Sequence, residues 1–169
     1  MKQLVFKSSN KDIVKQAIAF DTNSKACNRD IIIFIVDTIL FVFSLIGLKV
    51  ENEEKLTRAL IRELGPETLS GIGRLIHEFN EADSAVKKSE ILFKILKILY
   101  DQHAIQSAFK IVKKEMGTWA WIKTGLLAAG QLIAWIGSDG VAFVAECALN
   151  ILGATDLIED GLNVNRYCK

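Results

Sequence analysis

The fold is decided by a stretch near the end of the chain, residues 119–152, with the sequence WAWIKTGLLAAGQLIAWIGSDGVAFVAECALNIL. Its only formal charges are Lys123, Asp139 and Glu146. The Gly137–Gly140 segment interrupts the apolar run, so the pattern predicts two helices joined by a tight turn. Such an apolar hairpin, in a chain that is otherwise highly charged, is typical either of a buried core or of a segment that enters a membrane.

A second apolar segment lies at residues 30–50 and carries polar residues at a regular interval. Asp30, Asp37 and Ser44 recur every seven residues, which places them on one narrow stripe of a helix. Strand-like alternation is absent over about 18 residues, which is longer than most strands. We therefore predict a mainly apolar helix whose polar stripe meets water or a polar partner.

The rest of the chain predicts amphipathic helices with short connections. Asn52, and Asp83 or Ser84, are suited to cap helices, and Gly65 followed by Pro66 ends one helix and begins the next. A chain of 169 residues without an internal repeat suits one domain spanning residues 1–169. The predicted fold is all-α, a single-domain bundle of seven or eight helices around a central apolar hairpin.

Composition limits the partners and the compartment. Charged residues make up 24% of the chain and the net charge is +1, so we expect neither disorder nor nucleic-acid binding. The same small net charge gives no argument for long-range steering to anionic lipid. Residues 1–9 lack the apolar core of a secretory signal peptide. We expect a protein made in soluble form, whose release would need a route without a signal peptide.

The usual motifs of catalysis and metal binding are missing. His77 and Glu78 begin like a zincin motif, but Glu81 stands where the second histidine is needed. The Gly71–Gly73 segment lacks the third glycine of a dinucleotide-binding loop and the lysine of a P-loop. We therefore expect no enzyme activity, no metal and no cofactor.

The three cysteines have no metal-binding spacing. Cys147 lies within the second helix of the hairpin, where we expect it to act as a small buried apolar residue. Cys27 and Cys168 lie near opposite ends of the chain. A disulfide between them stays open, but two free thiols are favoured because the sequence gives no secretion signal.

Several hairpin residues suit membrane insertion. Trp119 and Trp121 stand at one end of the first hairpin helix and Trp135 at the other, as interfacial anchors do. Gly137 and Gly140 bound the predicted tip. A spanning helix needs about 20 apolar residues, and the apolar segments here are at the short end of that range. This length favours conditional insertion over permanent residence in a membrane.

Asp37 and Glu146 are the predicted solubility switch. An ionised carboxylate near the centre of a bilayer costs about 2.5–3.5 kcal/mol. Ionised, the two side chains would hold the soluble state, and protonation at low pH would remove most of the insertion cost. An ion pair with Lys123, or simple exposure to solvent, is the alternative for Asp37.

The order of the segments resembles the pore-forming domains of colicins and the helical bundles of Bcl-type proteins. The resemblance is carried by residues 119–136, the 137–140 turn and residues 141–152, about a fifth of the chain. The Asn-Trp-Gly-Arg box of the Bcl type is missing, because only Gly73 and Arg74 correspond to it. The resemblance implies a toxin-like, pore-forming protein.

Three interpretations of the hairpin follow. The leading hypothesis of function is a membrane-active α-helical protein that inserts the hairpin into a target bilayer when conditions allow. The alternative is a non-enzymatic bundle that binds a protein, a second copy of itself or an apolar ligand, through an apolar helix face or through a groove lined by helices 30–50 and 85–100. The third is that the hairpin serves only as the core.

Overall fold

The computed structural model describes residues 9–21 and 26–168, so the expectation about a signal peptide, which rests on residues 1–9, falls mostly outside the described residues. The described residues are all-α and contain no strand, as predicted. They form nine helices: α1 (Lys11–Asp21), α2 (Ala26–Leu45), α3 (Glu53–Glu63), α4 (Pro66–Glu81), α5 (Ala85–Asp101), α6 (Ala104–Met116), α7 (Thr118–Ile136), α8 (Val141–Ala148) and α9 (Thr155–Tyr167).

The expected count of seven or eight helices is therefore wrong: the described residues form nine, and each short connection begins a new helix. His103 has a φ of 67° and separates α5 from α6. Gly117 has a φ of 86° and separates α6 from α7. A positive φ is incompatible with a continuing right-handed helix, so the chain starts a new helix at each point.

The predicted helix boundaries hold where capping chemistry defines them. Asn52 Oδ1 accepts a hydrogen bond from the Lys55 N–H at 3.0 Å, and Ser84 Oγ accepts one from the Lys87 N–H at 3.1 Å. Pro66 is the first residue of α4. These side chains satisfy backbone donors that a helix N-terminus leaves without partners.

Helix α2 lies at the centre of the core. Every residue from Asp30 to Phe43 is buried, and α2 packs against α1, α3, α4, α8 and α9. The helix ends at Leu45, earlier than the predicted residue 50, because Gly47 adopts a φ of 79° and the Leu48 N–H returns to the Phe43 carbonyl at 2.9 Å. The earlier of the two apolar segments thus supplies the central helix.

The apolar hairpin does not have the central position that we expected. Helix α7 buries Ala128, Ala129 and Leu132 against the core but leaves its opposite side exposed, and α8 packs mainly on α5. The amphipathic helices around α2 cover that helix on several sides, and none of the described helices covers the outer side of α7. The resemblance to colicin pore-forming domains implies a hairpin enclosed by the other helices, and the described residues do not have that arrangement.

The segment between α7 and α8 forms a sharp bend, with 112° between the two helices. Ser138 Oγ donates to the Trp135 carbonyl at 2.8 Å, and Asp139 Oδ1 accepts from the Val141 N–H at 3.0 Å. Helix α8 ends at Ala148 and is followed by a single 3-10 turn, so its helical part is shorter than the predicted 141–152.

Candidate functional site

Large exposed apolar side chains are concentrated on the hairpin. Eight of the twelve that occur among the described residues lie between residues 119 and 152. We call this set the hairpin surface; its members are Trp119, Ile122, Leu126, Leu127, Ile133, Val141, Leu149 and Leu152. Because soluble proteins rarely expose large apolar patches, this concentration marks the strongest candidate for a functional surface.

The hairpin surface follows helical spacing. Trp119, Ile122, Leu126 and Ile133 recur every three, four or seven residues along α7, so they share one side of the helix. Leu127, beside them, is 77% exposed. Lys123 is the only formally charged residue of α7, and its Nζ lies 5.1 Å from the centre of the Trp119 ring. The exposed side of α7 is therefore mainly apolar: it carries one cation held on an indole, and Thr124 and Gln131 are its exposed neutral polar residues beyond the first turn.

Only one of the three predicted tryptophan anchors is at the surface. Trp119 is 69% exposed, whereas Trp121 and Trp135 are each 8% exposed. Trp121 packs beside Phe109 at 6.2 Å between ring centres, and Trp135 meets Phe143 edge to face at 5.7 Å. In this conformation the two buried rings stabilise the core.

A π-helical turn at Trp121–Gly125 turns the Trp121 ring inward. The Leu126 N–H bonds to the Trp121 carbonyl five residues back. A Cβ on Gly125 would lie 2.3 Å from the Trp121 ring, so a larger residue does not fit there. Such π-bulges are often found at functional sites in helices.

The predicted tip and switch residues are spread over different environments. Gly137 is exposed, and Gly140 is buried with a φ of 83°. Glu146 is half-buried on α8, where its backbone carbonyl accepts from the Asn150 side chain at 3.1 Å. Asp37 lies on α2, fully buried and in another cluster. The structure thus does not bring the two predicted switch carboxylates into one group.

Asp37 belongs to a buried cluster that joins α1, α2 and α9. Its Oδ1 accepts from the Ser9 N–H at 2.8 Å, and its Oδ2 lies 3.7 Å from Lys11 Nζ. Lys11 also binds Asp160, which is 2% exposed. Neither of the alternatives for Asp37, a pair with Lys123 or contact with solvent, is found.

Two carboxyl groups compete for one ammonium group in this cluster. Burial first, and then the hydrogen bond and negative charge of Asp37, raise the pKa of Asp160 to about 8. Partial burial acts to lower the pKa of Lys11, but its contacts with Asp160 and Asp37 outweigh that effect and raise it. At neutral pH the cluster therefore favours one proton held between the two carboxyl groups, beside a charged Lys11.

The cysteines differ from the favoured expectation. Cys27 and Cys168 form a disulfide that links the first turn of α2 to the residue after α9, so the prediction of two free thiols is wrong. Cys147 is buried as predicted, and burial raises the pKa of its thiol to about 12. That thiol is unreactive at neutral pH.

A groove between α3 and α6 was not anticipated as a site. Its volume is about 630 Å³, and it extends to Gly117 and Thr118 at the start of α7. We call it the basic groove, after the five cations among the residues that line it, Lys55, Arg62, Lys110, Lys113 and Lys114. The net charge of the whole chain gives no sign of such a local cluster. The lysines of α6 are the signal in the sequence that could have indicated it.

The described residues offer little for metal chemistry or for a simple membrane span. They contain no group of three or more His, Cys, Asp or Glu side chains suited to hold a metal ion. None of their helices alone is long and apolar enough to cross a bilayer, although α7 and α8 together meet that length and composition across their bend.

Comparison with known proteins adds no relative: no protein-family model, curated protein or solved structure matches this chain.

Proposed function

We propose that this protein is a membrane-active, toxin-like helical bundle that binds a target bilayer through the hairpin surface and inserts residues 119–152 into it. The proposal includes no enzyme activity. The single observation that carries it is the concentration of exposed apolar side chains on α7, α8 and the turn that follows α8.

A bilayer suits this surface because the exposed side chains are aliphatic or aromatic. The side chains of Ile122, Leu126, Leu127 and Ile133 have no hydrogen-bonding group with which to select a polar partner. Trp119 with Lys123 stands at one end of α7, and both side chains favour the boundary between headgroups and acyl chains. A helix that lies in the membrane interface buries one side in lipid and does not need to cross the bilayer. The length of α7 is therefore sufficient for binding at the interface.

Deeper insertion would require the core to open. Trp135 and Phe143 pack on each other, and Phe93 packs on Phe143 at 5.6 Å between ring centres. These contacts would be exchanged for lipid contacts as α7 and α8 leave α5. Binding and insertion are therefore two steps in the proposal, and the second has the larger barrier. Asp139 at the bend and Glu146 on α8 add to that barrier when ionised.

Gly130→Asp tests the proposal directly. Gly130 is exposed on α7, and a Cβ there meets nothing within 4 Å, so the change introduces a charge without a clash. Gly71→Asp on α4 is the matched control, because a Cβ at Gly71 also meets nothing within 4 Å. Both variants make the same change in intrinsic helix propensity, and circular dichroism checks that both stay folded.

The readouts are co-flotation with vesicles containing phosphatidylglycerol and release of a trapped dye, at pH 7 and pH 4.5. We expect wild type and Gly71→Asp to float and to release dye, and Gly130→Asp to lose at least tenfold in both. Placing a charged side chain at the centre of a bilayer costs about 3 kcal/mol, which corresponds to a loss of roughly 100-fold. The tenfold loss expected here is a lower bound, below that full cost. Absence of flotation and leakage for wild type at both pH values would rule out membrane activity and leave a protein partner, or a second copy, for the hairpin surface.

A further inference from the structure

The cations of the basic groove are not neutralised by their surroundings. None of the five forms an ion pair with another described residue. Glu63 is the only acidic residue lining the groove, and it accepts a hydrogen bond from Ser107 Oγ at 3.3 Å. Five cations and one anion give this groove a local charge of +4 in a chain whose net charge is +1.

The acidic residue nearest in sequence to the three lysines of α6 is occupied elsewhere. Glu115 follows Lys114 on α6, but its carboxylate accepts the N–H groups of Glu51 at 2.9 Å and Asn52 at 2.8 Å. This contact fixes the connection that leads into α3 and holds the Glu115 charge at that connection. The fold thus separates the positive side chains of α6 from the one carboxylate among them.

The basic groove adjoins the hairpin surface. Gly117 and Thr118 line one end of the groove, and Trp119 is the next residue along α7. Lys123 extends the positive charge one turn further, over the Trp119 ring. Unneutralised cations and an exposed apolar helix therefore meet at one end of α7, the arrangement by which proteins bind the surface of an anionic membrane.

We propose that the basic groove binds the phosphate groups of anionic lipids and so directs the hairpin surface onto negatively charged bilayers. This inference rests on the membrane activity proposed above and names the lipid class that the activity prefers. A bilayer is favoured over a soluble polyanion because it alone presents phosphates and acyl chains side by side. Each lysine near an anionic surface strengthens binding roughly fivefold, so three of them account for a preference of roughly a hundredfold.

The test compares vesicles of phosphatidylcholine alone with vesicles that also contain phosphatidylglycerol. The groove variant combines Lys110→Gln, Lys113→Gln and Lys114→Gln. The control combines the same change at Lys87, Lys94 and Lys97, which are exposed on α5 and lower the net charge equally. Binding is measured by flotation in low salt and in high salt, with excess inorganic phosphate as a competitor.

We expect wild type and the control to bind the anionic vesicles at least tenfold more tightly than the neutral ones, with the preference reduced by salt. The groove variant should lose the preference and keep its binding to neutral vesicles. Equal binding of wild type to both vesicles, or an equal loss in the control, would overturn the inference while leaving membrane activity in place. If inorganic phosphate displaces the protein from anionic vesicles as completely as high salt does, the groove binds a free anion instead of lipid phosphates.

Two further outcomes separate this inference from the proposed function. If wild type binds neither kind of vesicle, both the inference about the groove and the proposed membrane activity are wrong. Binding to anionic vesicles that depends on the groove but is as tight in Gly130→Asp as in wild type supports the groove and removes the role of the hairpin surface.

Discussion

The carboxyl groups of Asp37 and Asp160, from α2 and α9, lie buried around a single ammonium group, that of Lys11. The two residues are 0% and 2% exposed, so water does little to stabilise a second negative charge. This arrangement couples the packing of α1, α2 and α9 to one proton on Asp160.

The stability of the fold should therefore depend on pH through Asp160. Its pKa in the folded protein is about 8, above the value of about 3.9 for an unfolded aspartate. Between these values the folded state holds one more proton than the unfolded state, so the free energy of unfolding from Asp160 falls as pH rises from about 4 to about 8. Urea unfolding of wild type and Asp160→Asn at intervals from pH 5 to pH 9 measures this contribution.

Asp160→Asn should be less sensitive to pH than wild type over this window, because the amide is neutral at every pH. Glu159→Gln, on the exposed side of the same helix, is the control and should keep the wild-type slope. An identical slope in wild type and Asp160→Asn would contradict the raised pKa. If the expected slope is found, any increase in leakage between pH 7 and pH 4.5 must come from groups outside this pair.

The sequence predicts individual helices better than it predicts their neighbours. Asn52 and Pro66 mark helix starts by local chemistry, and both predictions are confirmed. Asp37 is visible as a polar residue in an apolar helix, but its partners Lys11 and Asp160 are fixed only when three helices pack. No spacing rule connects residues so far apart.

The same limit explains why the sequence predicts the hairpin, and not α2, as the centre of the fold. Helices α2 and α7 are both strongly apolar, so composition alone does not say which is enclosed. The choice depends on the four amphipathic helices α1, α3, α4 and α9, which pack against α2. The basic groove was missed for a related reason, since Arg62 and Lys110 belong to helices that meet only in the folded chain.

One glycine within the bend and one in α7 before it should respond in opposite ways to replacement by alanine. Gly140 has a φ of 83°, and a Cβ there would lie 2.6 Å from the Phe93 ring. Gly140→Ala should lower the free energy of unfolding by about 2–4 kcal/mol, from backbone strain and overpacking. Gly130→Ala has open space in a helix and should raise it by about 0.5–1 kcal/mol. Chemical denaturation of both variants tests the geometry of the bend, and a larger loss at Gly130 would show the bend to be misplaced.

The disulfide should contribute measurably to stability. Cys27 and Cys168 are 141 residues apart, so the bond restricts nearly the whole unfolded chain. Replacing both with serine should lower the free energy of unfolding by about 2–5 kcal/mol. Thiol titration of the unfolded, unreduced protein should find only Cys147, and reduction should release the other two. Three reactive thiols before reduction would refute the pairing.

The most direct measurement of the central claim is lipid contact at Leu127, which is 77% exposed on the hairpin surface. A bimane probe is attached in Leu127→Cys and, as the control, in Val86→Cys on α5, where the native side chain is 49% exposed. Buried Cys147 stays unlabelled under native conditions. With vesicles that contain phosphatidylglycerol and brominated lipid, we predict a blue shift and strong quenching at position 127 and little change at 86. Unchanged emission at position 127, or equal quenching at both positions, would contradict membrane binding through the hairpin surface.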